Sequence, residues 1–207
     1  MSFDRKTIIV LDLDETLIHS MTTKEREAYN KTINFTSHEM IGSDYIIYER
    51  PGLQEFLDFL FKNFTVCVWT AASKDYASFI VNNIVLNGRK DRKLDWFFFD
   101  YHCDISRKIS NTKSTKDLDV LCDIFKLQGY TKTNTVIIDD NTNVYNAQTG
   151  KCINIKEFKI ASSDSEKDDQ LKKLIPLLKQ LKKSMKENEL DKPAEFINRK
   201  LVVTSVK

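Results

Sequence analysis

Residues 7–16 read TIIVLDLDET, and this stretch decides the fold class. Residues 7–13 are mostly apolar, which is typical of a strand buried on both faces of a parallel sheet. Asp12 and Asp14 stand two residues apart where this strand ends, so in an extended chain both point to the same side. Like charges held that close are costly without a cation or a shared proton. The pattern therefore predicts a site for a hard divalent ion such as Mg²⁺, with a solvated turn as the alternative.

Outward from this strand, short apolar strands alternate with amphipathic helices. Further strands are expected over residues 64–69, 96–103, 135–139 and 151–155, and helices over residues 51–63, 73–87 and 115–128. This alternation predicts an α/β fold whose central, mostly parallel sheet carries helices on both faces. In such a sheet the ligand lies beyond the carboxyl ends of the strands.

Two stretches break the alternation. Residues 20–50 predict a small β insertion after the first strand. Residues 168–183 predict a C-terminal helix docked on the body, with a partner-binding or membrane-surface helix as the alternative. Pro176 is expected to kink this helix or to start a second one. Residues 184–207 are expected to form a loose tail, in which residues 201–203 could pair with a sheet edge.

The composition is that of an ordinary globular domain. The chain has 207 residues, of which 41% are hydrophobic and 30% charged, so a single domain is expected. No apolar run of about 18 residues and no secretory signal is present, which predicts an intracellular protein, nuclear or cytoplasmic, without a membrane partner. The four cysteines lack C-x-x-C spacing, which favours reduced thiols over a structural zinc site.

Charge is distributed unevenly along the chain. Residues 162–207 carry 11 basic and 8 acidic residues, which leaves 21 basic and 22 acidic residues in residues 1–161. The main body is therefore near neutral. Since a duplex-binding surface needs a concentrated basic patch, we expect no direct nucleic-acid partner.

Other polar residues fall at the ends of predicted strands. Asp139 and Asp140 end one apolar strand, and Thr70 ends another just before a helix N-terminus, which favours an anion. Lys116 lies in the first turn of a predicted helix, where a cation opposes the helix dipole and is better explained by a bound anion. Alone, Thr70 and Lys116 are unremarkable. Together with the acidic pairs they suit phosphoryl transfer, which depends on positioning and charge neutralisation.

A longer series of motifs carries a family resemblance. In chain order these are DLDETLIHS at residues 12–20, RPGL at 50–53, WTAA at 69–72, KDL at 116–118 and IDDN at 138–141. Over about residues 5–182 the chain resembles the FCP/SCP-type phosphatases of the haloacid dehalogenase superfamily, the NLI-interacting-factor-like family. These enzymes act on the C-terminal domain of RNA polymerase II. The resemblance implies a Rossmann-like phosphatase domain over residues 1–183 with no separate cap domain.

The resemblance also implies catalytic roles. Asp12 would be the nucleophile that forms an aspartyl-phosphate, and Asp14 would protonate the leaving group and then activate water. Thr70 and Lys116 would hold the phosphate oxygens. The residues by themselves do not rank Asp12 above Asp14 as the nucleophile.

The implied cofactor is Mg²⁺. Its ligands would be the Asp12 carboxylate, the Asp14 backbone carbonyl and Asp140, while Asp139 would orient Lys116 or a metal-bound water. Lys113 is a rival to Lys116, because residues 104–115 form a longer segment than the family pattern has.

Arg107 and Tyr76 are candidate substrate contacts, although Arg107 is equally well interpreted as an exposed loop charge. His19 is expected to be structural. The short segment between Thr70 and Lys116 leaves no room for a lid, so bulky substrates fit.

The function expected from the resemblance is a Mg²⁺-dependent phosphoserine/phosphothreonine protein phosphatase, and we expect it to work as a monomer. Its partner would be a phosphorylated protein or peptide, with the RNA polymerase II C-terminal domain as the first candidate. One alternative is a phosphatase for another phosphoester, such as a nucleic-acid 3′-phosphate or a small molecule. The other is a non-catalytic binding module of the same fold.

Overall fold

A computed structural model describes residues 7–186 and 192–204 of the chain. The strands are β1 (Ile8–Leu11), β2 (Ile18–Thr22), β3 (Ser37–Glu39), β4 (Tyr45–Glu49), β5 (Thr65–Trp69), β6 (Phe97–Phe98), β7 (Thr135–Asp139) and β8 (Cys152–Asn154). The helices are α1 (Thr23–Ala28), α2 (Leu53–Asn63), α3 (Lys74–Ile80), α4 (Asp100–Ile109), α5 (Leu118–Asp123), α6 (Thr142–Ala147), α7 (Gln170–Lys186) and α8 (Pro193–Thr204). A π-helical turn (Val81–Val85) continues α3, and a short 3-10 helix (Ser165–Lys167) precedes α7.

The central sheet is parallel and has the strand order β6-β5-β1-β7-β8. The first strand of the chain, β1, lies in the middle. Its last residue, Leu11, is in register with Val68 of β5 and Ile138 of β7. The carboxyl ends of these three strands therefore lie together at one edge of the sheet.

Helices cover both faces of this sheet, as the α/β alternation predicted. Ile9 and Leu11 face a core formed with α2, α3, α7 and α8, whereas Ile8 and Val10 face a core formed with α4, α5 and α6. This two-residue alternation within β1 is the side-chain period of a strand. The predicted fold class is confirmed.

The predicted insertion is a second, antiparallel sheet with the order β2-β4-β3. Helix α1 lies between β2 and β3 in the chain, and Thr22 and Glu25 form a capping box at its start. Within the described residues the insertion is small, and no separate cap domain is present. No helix in the described part of the chain is long and apolar enough to cross a membrane.

Two predicted elements around residues 96–128 were wrong in extent. The expected strand over residues 96–103 is only Phe97–Phe98, because the chain then turns into α4. The backbone N–H of Phe99 donates to Nδ1 of His102, and the His102 ring packs edge-on against Phe98 and Phe99. The expected helix over residues 115–128 is only α5, which begins after its N-cap, Asp117.

The C-terminal part agrees with the prediction in α7 and differs from it in α8. Helix α7 is the expected docked helix, with Leu171, Leu174, Leu178 and Leu181 buried in the core. It continues through Pro176 without a second helix starting there, and a kink at Pro176 stays a prediction. Residues 193–204 form α8 rather than a loose tail or an edge strand. Ala194, Ile197 and Leu201 are buried at helical spacing, and this apolar stripe docks α8 on the body. The rest of the predicted tail, residues 187–191 and 205–207, lies outside the described residues.

Candidate active site

The site lies at the carboxyl ends of β1, β5 and β7. Asp12 directly follows β1, Thr70 directly follows β5, and Asp139 and Asp140 are the last residue of β7 and the one after it. The backbone N–H of Asp12 donates to the carbonyl of Ile138 at 3.0 Å, which extends the β1 and β7 pairing to the acidic residues. Strand adjacency therefore brings together two acidic pairs that are far apart in sequence.

Lys116 lies between two of these carboxylates. Its Nζ is 2.5 Å from Oδ1 of Asp12 and 2.8 Å from Oδ2 of Asp139. Burial opposes the charged form of Lys116, but the two carboxylates outweigh it and raise the lysine pKa. Lys116 is thus a buried ammonium that contacts Asp12 directly.

A loop, and not a helix, holds Lys116. Gln148 holds this loop in place, because its Nε2 donates to the carbonyl of Lys116 at 2.6 Å and its Oε1 accepts from the backbone N–H of Leu118 at 3.1 Å. Asp117 accepts hydrogen bonds from the hydroxyls of Ser110 and Thr112. The helix-dipole argument for Lys116 was therefore wrong, although the residue does lie at the site.

Three carboxylates could share a metal ion. Asp12, Asp139 and Asp140 each offer an oxygen within 4.8 Å of the others. Burial is the larger cause, and the Asp12 charge the second, of the raised pKa values of Asp139 and Asp140, so a cation bound here would favour their ionised forms. Oxygen donors with excess negative charge fit Mg²⁺. The carboxylate of Asp14 is not in this group, and its backbone role toward a metal stays a prediction.

Thr16 joins two of these acids. Its Oγ1 lies 3.2 Å from Oδ2 of Asp12 and 3.1 Å from Oδ1 of Asp140, and it accepts a hydrogen bond from the Asp140 backbone N–H at 3.1 Å. Thr16 is fully buried. The sequence analysis quoted this threonine within its motif but assigned it no role; its position two residues after Asp14 was the available signal.

Asp14 occupies a different environment from Asp12. Its Oδ1 accepts a hydrogen bond of 2.7 Å from the hydroxyl of Tyr76. Burial raises the pKa of Asp14 to about 6, even though this hydrogen bond favours the ionised form. The Tyr76 ring contacts Tyr45 of the insertion edge-on, with ring centroids 5.4 Å apart. Asp14 can therefore hold a proton near neutral pH, beside the insertion.

Thr70 is buried at the end of β5. Its Oγ1 accepts a hydrogen bond from the backbone N–H of Ala72 at 3.1 Å, and its own N–H donates to the carbonyl of Phe98. A hydroxyl that accepts in this way can still donate its proton to an anion. The structure thus places Thr70 at the same sheet edge as Asp12, where we expected it.

Two predicted residues lie outside these contacts. Arg107 is on α4 with 56% of its side chain exposed, where it pairs with Asp104, so its role toward a substrate stays a prediction. Lys113 is exposed on the loop, whereas the rival Lys116 contacts Asp12. His19, which was expected to be structural, lies beside Glu15, with Nδ1 3.3 Å from Oε1.

The sequence analysis missed Gln148. No sequence pattern indicated it, because it is 32 residues from Lys116, whose carbonyl accepts its hydrogen bond.

Comparison with known proteins decides the family. The family model described as NLI interacting factor-like phosphatase matches residues 7–189, which includes every site residue above. The chain belongs to this phosphatase family.

Two viral members of the family resemble the chain over most of their own length, and both are named as CTD phosphatase-like protein 355R. The protein of Invertebrate iridescent virus 6 is 41% identical over 174 residues, covering 82% of this chain and 96% of the relative. The protein of Invertebrate iridescent virus 3 is 35% identical over 189 residues, covering 88% and 100%.

A solved structure agrees with the fold of this family member. The structure of Fcp1, described as an essential RNA polymerase II CTD phosphatase, matches with a TM-score of 0.61 over 89% of this chain and 64% of the Fcp1 chain. Its sequence identity is 18%, so the match speaks for the fold alone. The match agrees with the α/β fold of this chain, whose central sheet is parallel and carries the acidic residues at its strand ends.

Proposed function

We propose that this chain is a Mg²⁺-dependent phosphoserine/phosphothreonine protein phosphatase that works through an aspartyl-phosphate on Asp12. The contact between Lys116 and Asp12, beside Asp139 and Asp140, is the observation that supports it most. A carboxylate next to a buried ammonium and other carboxylates suits a nucleophile for a phosphoryl group whose charge must be neutralised.

In the first step a carboxylate oxygen of Asp12 attacks phosphorus, and the bond from phosphorus to the seryl or threonyl oxygen breaks. Asp14 gives its proton to that leaving oxygen. A pKa of about 6 leaves a useful fraction of Asp14 protonated near neutral pH. The Thr70 hydroxyl and the Lys116 ammonium hold the non-bridging oxygens of the transferring group.

In the second step a water attacks the phosphorus of the phosphorylated Asp12. Asp14, now ionised, accepts the proton of that water, and the bond between phosphorus and the Asp12 oxygen breaks. Inorganic phosphate leaves and both carboxyl groups return to their starting states. Tyr76 orients Asp14 for both proton transfers through its hydrogen bond to Oδ1.

The residues that would hold Mg²⁺ are Asp12, Asp140 and the backbone carbonyl of Asp14, with Asp139 anchoring Lys116. A bound Mg²⁺ would neutralise charge on the phosphoryl oxygens and on the crowded carboxylates. Thr16 keeps the side chains of Asp12 and Asp140 in a fixed relation through its hydroxyl.

The proposed substrate is a phosphorylated protein segment. The insertion is a small sheet and not a cap domain, which suits a bulky substrate, and the names of the viral relatives and of Fcp1 favour the RNA polymerase II C-terminal domain as the first candidate. Tyr76 and Arg107 are the proposed peptide contacts. We propose a monomer acting in the nucleus or the cytoplasm.

Phosphate release from a panel of phosphoserine and phosphothreonine peptides, including polymerase-tail repeats, tests this function. We expect release that needs Mg²⁺, stops with a chelator and is abolished in Asp12→Asn. Asp91→Asn, at an exposed acid that pairs with Arg89, is the matched control and should retain activity. Turnover of an aryl phosphate without any peptide turnover would point to another phosphoester. No turnover of either by folded protein would contradict catalysis and favour a binding module.

A further inference from the structure

Helix α8 covers the free edge of the central sheet. β8 is the last strand in the sheet order, so one side of its backbone has no strand partner. The Asn198 side chain occupies that side: its Nδ2 donates to the carbonyl of Cys152 at 2.8 Å, and its Oδ1 accepts from the backbone N–H of Asn154 at 3.0 Å. The backbone N–H of Ala194 also donates to the carbonyl of Gly150. The Asn198 amide thus takes the place of one residue of a neighbouring strand.

On the inner side of β8, the Asn154 side chain reaches the active-site turn. Asn154 is in register with Asp139 of β7. Its Nδ2 lies 3.2 Å from the carbonyl of Asp139 and 3.0 Å from the carbonyl of Asp140. One amide group therefore holds the backbone of both acidic residues at the point where their carboxylates turn toward Asp12.

We propose that Asn198 and Asn154 are positioning residues for the metal site, so that docking of α8 on the sheet edge sets the geometry of Asp139 and Asp140. This inference rests on the proposed function, since it takes the Asp140 carboxylate to hold Mg²⁺ with Asp12 and the Asp139 carboxylate to anchor Lys116 beside them. The hydrogen bonds of both side chains go to backbone groups. Asn198 fixes the backbone of Asn154, and Asn154 fixes the backbone of the two acids.

The apolar contacts of α8 allow the hydrogen bonds of Asn198 to be removed without undocking the helix. Ala194, Ile197 and Leu201 stay buried whether or not residue 198 carries an amide, so Asn198→Ala should leave α8 docked. The change removes both hydrogen bonds to β8.

The first test is Mn²⁺ binding to the full chain, measured by electron paramagnetic resonance with Mn²⁺ alone as the probe. We expect Asn154→Ala to weaken Mn²⁺ binding about 10-fold, as removal of an outer partner of a metal ligand does. Asn198→Ala should act in the same direction. Arg199→Ala is the matched control, because Arg199 is 82% exposed on the same helix and pairs only loosely with Glu195, at 3.5 Å.

A second readout needs no metal. The backbone N–H of Asp140 bonds to Thr16 Oγ1, and that of Asn141 bonds to Oδ1 of Asp139. In metal-free protein these two amides should exchange with deuterium faster in Asn198→Ala than in the wild type or Arg199→Ala, while the amides of β5 keep their rates. A merely stabilising role for α8 would instead speed exchange across the whole central sheet, β5 included.

The outcomes separate this inference from the function. If the wild type binds Mn²⁺ and the asparagine variants match it in affinity and in exchange, the positioning role is overturned while the phosphatase remains. If the wild type binds no Mn²⁺, the metal-dependent function is contradicted, and the positioning of a metal site falls with it.

Discussion

The hydroxyl of Tyr76 donates a hydrogen bond of 2.7 Å to Oδ1 of Asp14. This bond favours the ionised carboxylate, against the burial that raises the pKa of Asp14 to about 6. Because the first chemical step needs protonated Asp14, we expect kcat/KM to fall as pH rises through about 6. Tyr76→Phe should raise the Asp14 pKa and move this limb to higher pH by about one unit, since a hydrogen bond to a charged group is worth about 1.5 kcal/mol or more.

The pH dependence of kcat/KM for a phosphopeptide measures this shift. Tyr45→Phe is the matched control, because it removes a hydroxyl from the ring that contacts Tyr76 while leaving the bond to Asp14 in place. An unmoved limb in Tyr76→Phe would show that another group sets the pH dependence.

Burial of Asp14 should also cost stability. The pKa of Asp14 is raised in the folded state, from an ordinary 3.8 to about 6. Ionised Asp14 therefore lowers the free energy of unfolding above pH 6, and this cost disappears below pH 3.8, where Asp14 is protonated in both states. We expect Asp14→Asn to stabilise the metal-free protein by about 2 kcal/mol at pH 8, after allowance for solvent screening, and by progressively less toward pH 4.

Urea denaturation at pH 8 and at pH 5 in the presence of a chelator checks this expectation. Asp164→Asn serves as the control with the opposite sign, because a hydrogen bond from exposed Lys156 lowers the pKa of Asp164. A gain for Asp14→Asn that is equal at both pH values would contradict the assigned cause.

The hydroxyl of Thr16 should tune metal binding. Thr16→Val has nearly the same shape but removes the polar link between Asp12 and Asp140, so we expect the Mg²⁺ concentration for half-maximal activity to rise by about 10-fold to 100-fold. Thr16→Ser keeps the hydroxyl and should remain near the wild type. Equal Mg²⁺ dependence in all three proteins would show that the link is only structural.

Gln148 should matter for phosphate binding, because it fixes the loop that carries Lys116. We expect Gln148→Leu to raise the inhibition constant for inorganic phosphate about 10-fold by loosening the lysine position, with little change in Mn²⁺ affinity. Gln128→Leu, at an exposed glutamine, is the control. Loss of Mn²⁺ binding without loss of phosphate binding would assign Gln148 to the metal side of the site.

The centre of the fold was predictable from local pattern. The apolar run before Asp12 and the run before Asp139 are buried strands with adjacent positions in the sheet, and parallel pairing alone brings their carboxylates together. Thr70 follows from the same rule. The strand ends are short-range signals, read within one strand and the residue after it, whereas the adjacency of β1 and β7 is a tertiary pairing that the local pattern left open.

The errors arose where tertiary contacts override local pattern. Residues 96–103 are rich in aromatic residues, which favour strands, yet the ring of His102 packing on Phe98 and Phe99 accompanies the start of α4. The loop position of Lys116 depends on Gln148, a partner that no spacing in the sequence indicates. Helix α8 was missed because Ala194, Ile197 and Leu201 form a sparse stripe among polar residues.

The nucleophilic role of Asp12 is the central claim, and trapping its phosphoryl group tests it most directly. Asp14→Asn should still transfer phosphate from 4-nitrophenyl phosphate to Asp12, because that leaving group needs no proton, but it should hydrolyse the product slowly for want of a base. With Mg²⁺ present, intact mass and peptide mapping should find one phosphoryl group on the peptide that contains Asp12, absent with a chelator and in Asp12→Asn/Asp14→Asn. A phosphoryl group on another residue, or turnover by Asp12→Asn alone, would contradict the account.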